Sequence, residues 1–220
     1  NINEVLPKIA EISELKNKVD VVNYLAFFEE SKNKNSEIIK EKLIENFNLR
    51  GSDKVSNNYH IIYSCLLKDL KQNYTILEIG LGTNNPKIVS SMGIGGSPGA
   101  SVRAFRDTFL NSYIYGADVD SDILFSEERI STFCVDQNNL ETFNNIPKLV
   151  DSKFDLIIDD GLHYQLSNLN TLIFALSNLN KDGYFIIEDI GVWTIDTWKI
   201  VKNLVPDTFE SRIIQMTESN

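Results

Sequence analysis

Cysteine is scarce in this chain of 220 residues, and no part of the chain is both long and apolar. Cys65 and Cys134 are the only two, too few for a disulfide framework and without zinc-ligand spacing. Their apolar neighbours in the sequence suit a reducing, cytoplasmic setting. No apolar run approaches the ~18 residues that a membrane-spanning helix needs, so no membrane partner is expected. The opening NINEVLPKIAE has no initiator Met, no basic n-region and no apolar h-region, so a trimmed terminus without a secretory signal is expected. Positive charge is also short: 21 Lys and Arg stand against 31 Asp and Glu, a formal net charge of −10. That balance opposes a large phosphate-binding footprint and argues against nucleic acid as a partner. It leaves room for a small anionic substrate held by local positive groups. What is abundant is Asn, Lys and Ile, a bias that suits an AT-rich bacterial genome, within an ordinary apolar content of 42%.

Residues 1–72 read as a helical extension. Val5, Leu6, Ile9, Ile12 and Leu15 recur at helical spacing, as do Ile38, Ile39, Leu43 and Phe47. A polar break at 48–58 contains Gly51, and a further helix covers 59–70. From Thr75 strands alternate with helices, which predicts an α/β domain over 73–220: a doubly wound, mostly parallel, Rossmann-like sheet. Strands are expected at 75–79, 112–117, 130–135, 154–159 and 183–188, in the order 3-2-1-4-5, with a sixth at 209–216 beyond them. Helices are expected near 100–109, 121–125, 168–179 and 194–204. The stretch 82–99, rich in Gly, Ser and Asn, is long for a connection in a compact domain and reads as a lid.

Two of these strands end in acids. Residues 154–163 read FDLIIDDGLH and residues 184–190 read YFIIEDI. A short apolar run of this kind is expected to be buried on both faces of a parallel sheet. Ligands of such sheets bind beyond the carboxyl ends of the strands. Asp159, Asp160, His163, Glu188 and Asp189 should therefore converge on one crevice. Carboxylates gathered this closely repel one another unless a cation joins them, and a hard divalent ion with oxygen ligands is the simplest one.

The first strand runs into a glycine turn, ILEIGLGTNN at 76–85. Gly80 and Gly82 allow a tight turn and close approach of a ligand, which by itself fits NAD, FAD or S-adenosylmethionine, or only a turn. Asn85 stands where a dinucleotide fingerprint has its third glycine, and the acid expected about 20 residues on is displaced by the long loop. Glu78, two residues before Gly80, would repel a pyrophosphate but suits a ligand carrying an ammonium and a sulfonium. Taken singly, Glu78 reads equally as a surface carboxylate, Asp118 as a helix cap and Asp120 as a turn residue.

Taken in order, the segments resemble the class I S-adenosylmethionine-dependent methyltransferases over residues 55–216. The resemblance implies that Glu78, Gly80 and Gly82 form the first cofactor motif. It also implies that Asp118 binds the ribose hydroxyls and Asp136 the adenine amine. The DDG-x-H segment, the Glu188-Asp189 pair and PGASVRAFRD at 98–107 are similar to the macrocin-type, metal-dependent sugar O-methyltransferases, a pattern shared with cephalosporin-hydroxylase-like proteins. This implies a magnesium site at Asp160, Glu188 and Asp189, with His163 as general base beside Asp160. The helix before the first strand also matches; Tyr59 and Tyr63 fall at its aromatic positions, and Tyr63 is expected against the cofactor.

Asp159 is expected to orient its neighbours, and His60 to pack in its helix. Tyr164 and Trp193 either stack on a sugar ring or pack. Arg103 and Arg106 either meet an anionic substrate or pair with Asp107. Mg²⁺ fits the donor set first, with Mn²⁺ and Fe²⁺ open. The expected partner is a small sugar-containing molecule, of a capsule or antibiotic pathway by resemblance, and the N-terminal helices either cap the cofactor or build a homo-oligomer. Three rival readings are a catechol-like acceptor, a non-catalytic S-adenosylmethionine-binding module, and an NAD-type oxidoreductase, which Asn85 and Glu78 disfavour.

Overall fold

The computed structural model describes residues 21–146 and 153–217. The helix expected around Val5–Leu15 lies outside them. The chain forms two units, one from the two ends of the chain (21–32 and 190–217 among the described residues) and one from Asn33–Asp189.

The first unit begins with strand β1 (Val21–Asn23) and helix α1 (Tyr24–Ser31), where the Asn23 side chain caps the helix by accepting from Leu25 N at 2.9 Å. The larger unit opens with α2 (Ser36–Arg50), which Gly51 ends in the left-handed conformation, and α3 (Tyr59–Leu66). Both helices belong to the sheet-bearing unit, whereas the sequence groups them with a separate extension. Then come β2 (Thr75–Ile79), α4 (Ala100–Thr108), β3 (Tyr113–Asp118), the short β4 (Ser126–Glu127) and β5 (Ile130–Cys134). The unit closes with β6 (Phe154–Asp159), α5 (Gln165–Asn178) and β7 (Leu179–Ile187). Helix α6 (Ile195–Lys202) and β8 (Ile213–Gln215) return to the first unit, where β8 pairs in parallel with β1.

The six-stranded sheet has the order β4-β5-β3-β2-β6-β7 and is parallel except for the β4–β5 hairpin. The five long strands thus follow the expected 3-2-1-4-5 order. The sixth strand departs from expectation: only Ile213–Gln215 is extended, and its partner is β1 in a separate two-stranded sheet. Central β2 and β6 are buried almost throughout, as their apolar runs predict. By contrast, the YFII run is half-buried, because among the described residues β7 is the last strand of the sheet and pairs only with β6. Strand β7 also begins four residues earlier than expected, with a register shift opposite Phe154 and Leu156 that takes up residues 180–183. The segment at 121–125 forms only a 3-10 turn, Ser121–Ile123.

Phe47 of α2, Tyr63 of α3 and Phe105 of α4 form an aromatic cluster that joins the three helices. Ring centroids lie 5.2 Å apart for Phe47–Phe105 and 5.1 Å for Tyr63–Phe105, both edge-to-face. Cys65 is buried as its sequence context suggests, and burial pushes its thiol up to about 11, whereas Cys134 is exposed at a strand end. Among the described residues no helix is long and apolar enough to cross a membrane.

Candidate active site

A cavity of about 900 Å³ opens at the carboxyl ends of β2, β3, β5 and β6, where a parallel sheet leaves its crevice. Its walls include Gly80, Gly82, Asp118, Asp136, Asp160, His163 and Asp189, so seven of the eleven residues expected at the crevice meet there. The Gly-rich segment 82–99 contributes Ile88, Ser90, Met92 and Ser97, among others. Its ends are tied to the glycine turn: Gly99 N donates to Leu81 O at 2.7 Å and Met92 N to Thr83 O at 2.9 Å.

The glycine turn is shaped by contact as well as by φ. Gly80 has φ +102°, and a Cβ there would lie 2.1 Å from the carbonyl oxygen of Asp160. Asp118 accepts from Leu81 N at 2.8 Å and from Asp120 N at 2.9 Å, one bond to each carboxylate oxygen. The turn is thereby pinned to the end of β3, and each oxygen keeps a lone pair for a hydroxyl. Asp136 accepts from Asn138 N at 2.9 Å and closes the loop after β5.

Asp160, His163 and Asp189 each offer a ligand atom, and those atoms lie within 4.8 Å of one another. His163 and Asp189 have φ of +52° and +53°, a left-handed backbone that costs about 1–2 kcal/mol per residue in L-amino acids. Strain at two of three clustered residues is of the kind stored at functional sites. His163 Nε2 is 4.0 Å from Asp160 Oδ1, too long for a hydrogen bond, so the imidazole is left available. Asp159 is fully buried and accepts from Gln137 Nε2 at 2.7 Å and Asn168 Nδ2 at 3.0 Å; burial nevertheless raises its pKa. Gln137 also accepts from Leu162 N at 2.8 Å, so one amide fixes both ends of the DDGL turn.

Four expected residues do not line the cavity, the fully buried Asp159 among them. Tyr63 is sealed in the aromatic cluster. Glu78 and Glu188 lie beneath the wall, both held by a residue that the sequence did not single out, Lys54. The Lys54 side chain is 2% exposed, and its Nζ lies 2.7 Å from Asp160 Oδ2, 2.7 Å from Glu188 Oε2 and 3.0 Å from Glu78 Oε1. The last is an ion pair whose angles fall short of a hydrogen bond. Burial opposes the ammonium charge, but attraction to Asp160, Glu188 and Glu78 outweighs it and holds Lys54 well above the ordinary lysine value. Burial pushes Glu188 up to about 7 although Lys54 pulls it down. Ser101 Oγ donates to Glu78.

The remaining oxygen of Glu188, Oε1, is buried with no hydrogen-bond partner among the described residues. A carboxylate oxygen left so is costly; Glu188 stands outside the Asp160–His163–Asp189 group, whose two carboxylates supply oxygen donors of the kind that suits a hard divalent cation.

Arg103 and Arg106 are absent from the cavity wall. Both pair with Glu127, at 2.8 and 2.7 Å, and the Arg103 guanidinium sits 3.9 Å over Phe125. Tyr164 lines the cavity and is 58% exposed. Trp193, in the first unit, is 76% exposed on the Val192–Thr194 turn.

No protein-family model matches the chain. Mycinamicin VI 2''-O-methyltransferase of Micromonospora griseorubida is 31% identical over 111 residues, 48% of this chain and 27% of that protein. Demethylmacrocin O-methyltransferase of Streptomyces fradiae is 32% identical over 112 residues, again 48% and 27%. The chain covers 27–29% of the length of the curated relatives it matches. Among solved structures, the MycE methyltransferase of the mycinamycin biosynthetic pathway, in complex with Mg, SAH and mycinamycin VI, superposes with a TM-score of 0.58. It is 26% identical over 70% of this chain and 38% of that one. The fold is that of a methyltransferase. Both the class I expectation and the likeness to macrocin-type sugar O-methyltransferases are thereby met. On this methyltransferase sheet, the glycine turn, Asp118 and Asp136 occupy three successive strand ends, and the acids of β6 and β7 close the crevice beside them.

Proposed function

We propose that this chain carries the activity of an S-adenosylmethionine-dependent, divalent-metal-assisted O-methyltransferase acting on a sugar hydroxyl of a glycosylated small molecule. The observation that carries the reading is the convergence of Asp160, His163 and Asp189 on the cavity that also holds the glycine turn. The names of the relatives support the acceptor class: they methylate mycinamicin VI and rhamnosyl tetracenomycin. The bacterial relatives support a pathway that decorates a natural product or capsule precursor, and the scarcity of cysteine supports the cytoplasm. The acidic surplus favours a small acceptor over nucleic acid.

When bound, the cofactor supplies a sulfonium methyl for in-line transfer, and the divalent ion supplies positive charge that lowers the pKa of an acceptor hydroxyl. Everything else falls to the chain. Asp160 and Asp189 would hold the ion, with Glu188 Oε1 in reserve. Asp118 would take the ribose hydroxyls and Asp136 the adenine amine, and the Gly80–Gly82 backbone would let the cofactor approach. His163 accepts the hydroxyl proton on an imidazole nitrogen. The lid residues exclude water.

Calorimetric titration with S-adenosylhomocysteine, with and without Mg²⁺, followed by glycosylated acceptors tests the reading. Cofactor binding and metal-dependent acceptor binding are expected. His163→Ala is expected to keep cofactor binding and lose about 10²- to 10⁴-fold in turnover, the range for a removed general base. A folded protein that ignores the cofactor would overturn the proposal.

A further inference from the structure

One short segment holds all three acids that the resemblance assigns to a metal. Lys54 bonds one oxygen of Asp160 and one of Glu188, each at 2.7 Å. Five residues on, the Tyr59 hydroxyl donates to Asp189 Oδ1 at 2.6 Å and accepts from Asp189 N at 2.8 Å. The segment is itself fastened: Tyr59 N donates to Lys54 O at 3.0 Å, and the Lys54 ammonium lies 5.8 Å from the centre of the Tyr59 ring. Lysine is almost never fully buried unless it is paired, so this placement is made by its carboxylate partners and not by packing alone.

The choice of oxygens is informative. Lys54 takes Oδ2 of Asp160 and Oε2 of Glu188. Asp160 Oδ1, the oxygen nearer His163, is left over, as is the unpartnered Oε1 of Glu188. We propose that Lys54 and Tyr59 are positioning residues for a divalent-ion site, a clasp that fixes one side of Asp160, Glu188 and Asp189 and leaves the other side of the two strand ends to the ion. The inference rests on the metal reading above and adds to it which residues preset the ligands. It also explains how three neighbouring acids stay together before an ion arrives: Lys54 supplies a resident positive charge.

The sign of one change decides it. Lys54→Met adds a net negative charge beside the site, and Coulomb attraction alone would then tighten the binding of a dication. Loss of ligand positioning weakens it instead, by about 10- to 100-fold, as for other outer partners of metal ligands. The measurement is titration of the full chain with Mn²⁺, counting free ion by electron paramagnetic resonance, alongside thermal melts in EDTA to verify folding. Weaker binding by Lys54→Met supports the clasp; unchanged or tighter binding overturns it and leaves Lys54 as a competing charge. Should Lys54→Met fail to fold, Tyr59→Phe carries the test, because it removes only the hydroxyl. The same weakening is expected, and unaltered affinity overturns the proposal. Wild-type protein that binds no Mn²⁺ would instead bring down the metal reading itself, so the two failures are distinct.

Discussion

Gly80 and Gly93 both have positive φ, +102° and +73°, yet their surroundings differ. A Cβ at Gly80 would lie 2.1 Å from a backbone oxygen of Asp160, whereas nothing lies within 4 Å of one at Gly93. Gly93→Ala therefore meets backbone strain alone and is expected to cost about 1 kcal/mol. Gly80→Ala adds overlap with an atom that cannot swing aside, so β6's acidic turn must move away from the glycine turn. Strain of about 1–3 kcal/mol plus that displacement is expected, and urea melts of the two variants compare them directly. Equal losses would show that φ alone matters at Gly80. The glycine turn and the strand-end acids were legible in the sequence because each is a local pattern: a glycine pair after an apolar run, or acids at the end of one. Lys54 was not. It sits in a polar stretch that reads as a loop, and its partners Asp160 and Glu188 are 106 and 134 residues away. Gln137 was missed for the same reason, since its value lies in bonds to Asp159 and Leu162 that sequence spacing does not show.

At the scale of elements, burial on both faces is what made strands readable. Strands β2 and β6 match their expected limits because each is flanked by neighbours on both sides. At the ends of sheets the signal thins. The two-residue β4 is too short to show any alternation, and β8 pairs with Val21–Asn23, about 190 residues earlier, a contact no local pattern records. The helices carry a different lesson. Tyr63 reads as a cofactor contact by resemblance, but the structure spends its ring on packing against Phe47 and Phe105. Phe105 is fully buried and touches both partners edge-on, which ties α4 to α2 and α3. Phe105→Ala is expected to cost about 3–5 kcal/mol, the range for a deleted core aromatic. Because α4 directly follows the Gly-rich segment 82–99, this loss should also loosen that segment's C-terminal anchor at Gly99. Hydrogen exchange at the Gly99 amide, which bonds Leu81 O at 2.7 Å, reads that coupling. Protection unchanged despite a lowered melting temperature would confine the cluster to a packing role.

For the molecule as a whole, the net charge of −10 and a sequence pI near 4.7 mean that acidification first relieves self-repulsion. That general trend favours the folded state as pH falls from neutrality, so a group acting in the opposite direction can be recognised by its sign. His60 is such a group. It is 6% exposed in α3, and burial lowers its pKa below the ordinary 6.5, with a hydrogen bond to the Lys54 backbone opposing and Lys40 adding to the fall. Its Nδ1 is buried with no hydrogen-bond partner among the described residues. The unfolded chain therefore takes up a proton near pH 6.5 that the folded chain refuses. A depressed folded pKa gives stability that is fully present above the unfolded value and is lost as pH falls through the folded one. His60→Gln removes this linkage and keeps a side chain that can still bond the Lys54 backbone. The expected outcome is a melting temperature for wild type that falls relative to the variant as pH drops from about 7 to about 5. The difference between the two curves cancels the shared effect of net charge, so parallel curves would show that His60 exchanges no proton on unfolding in that window.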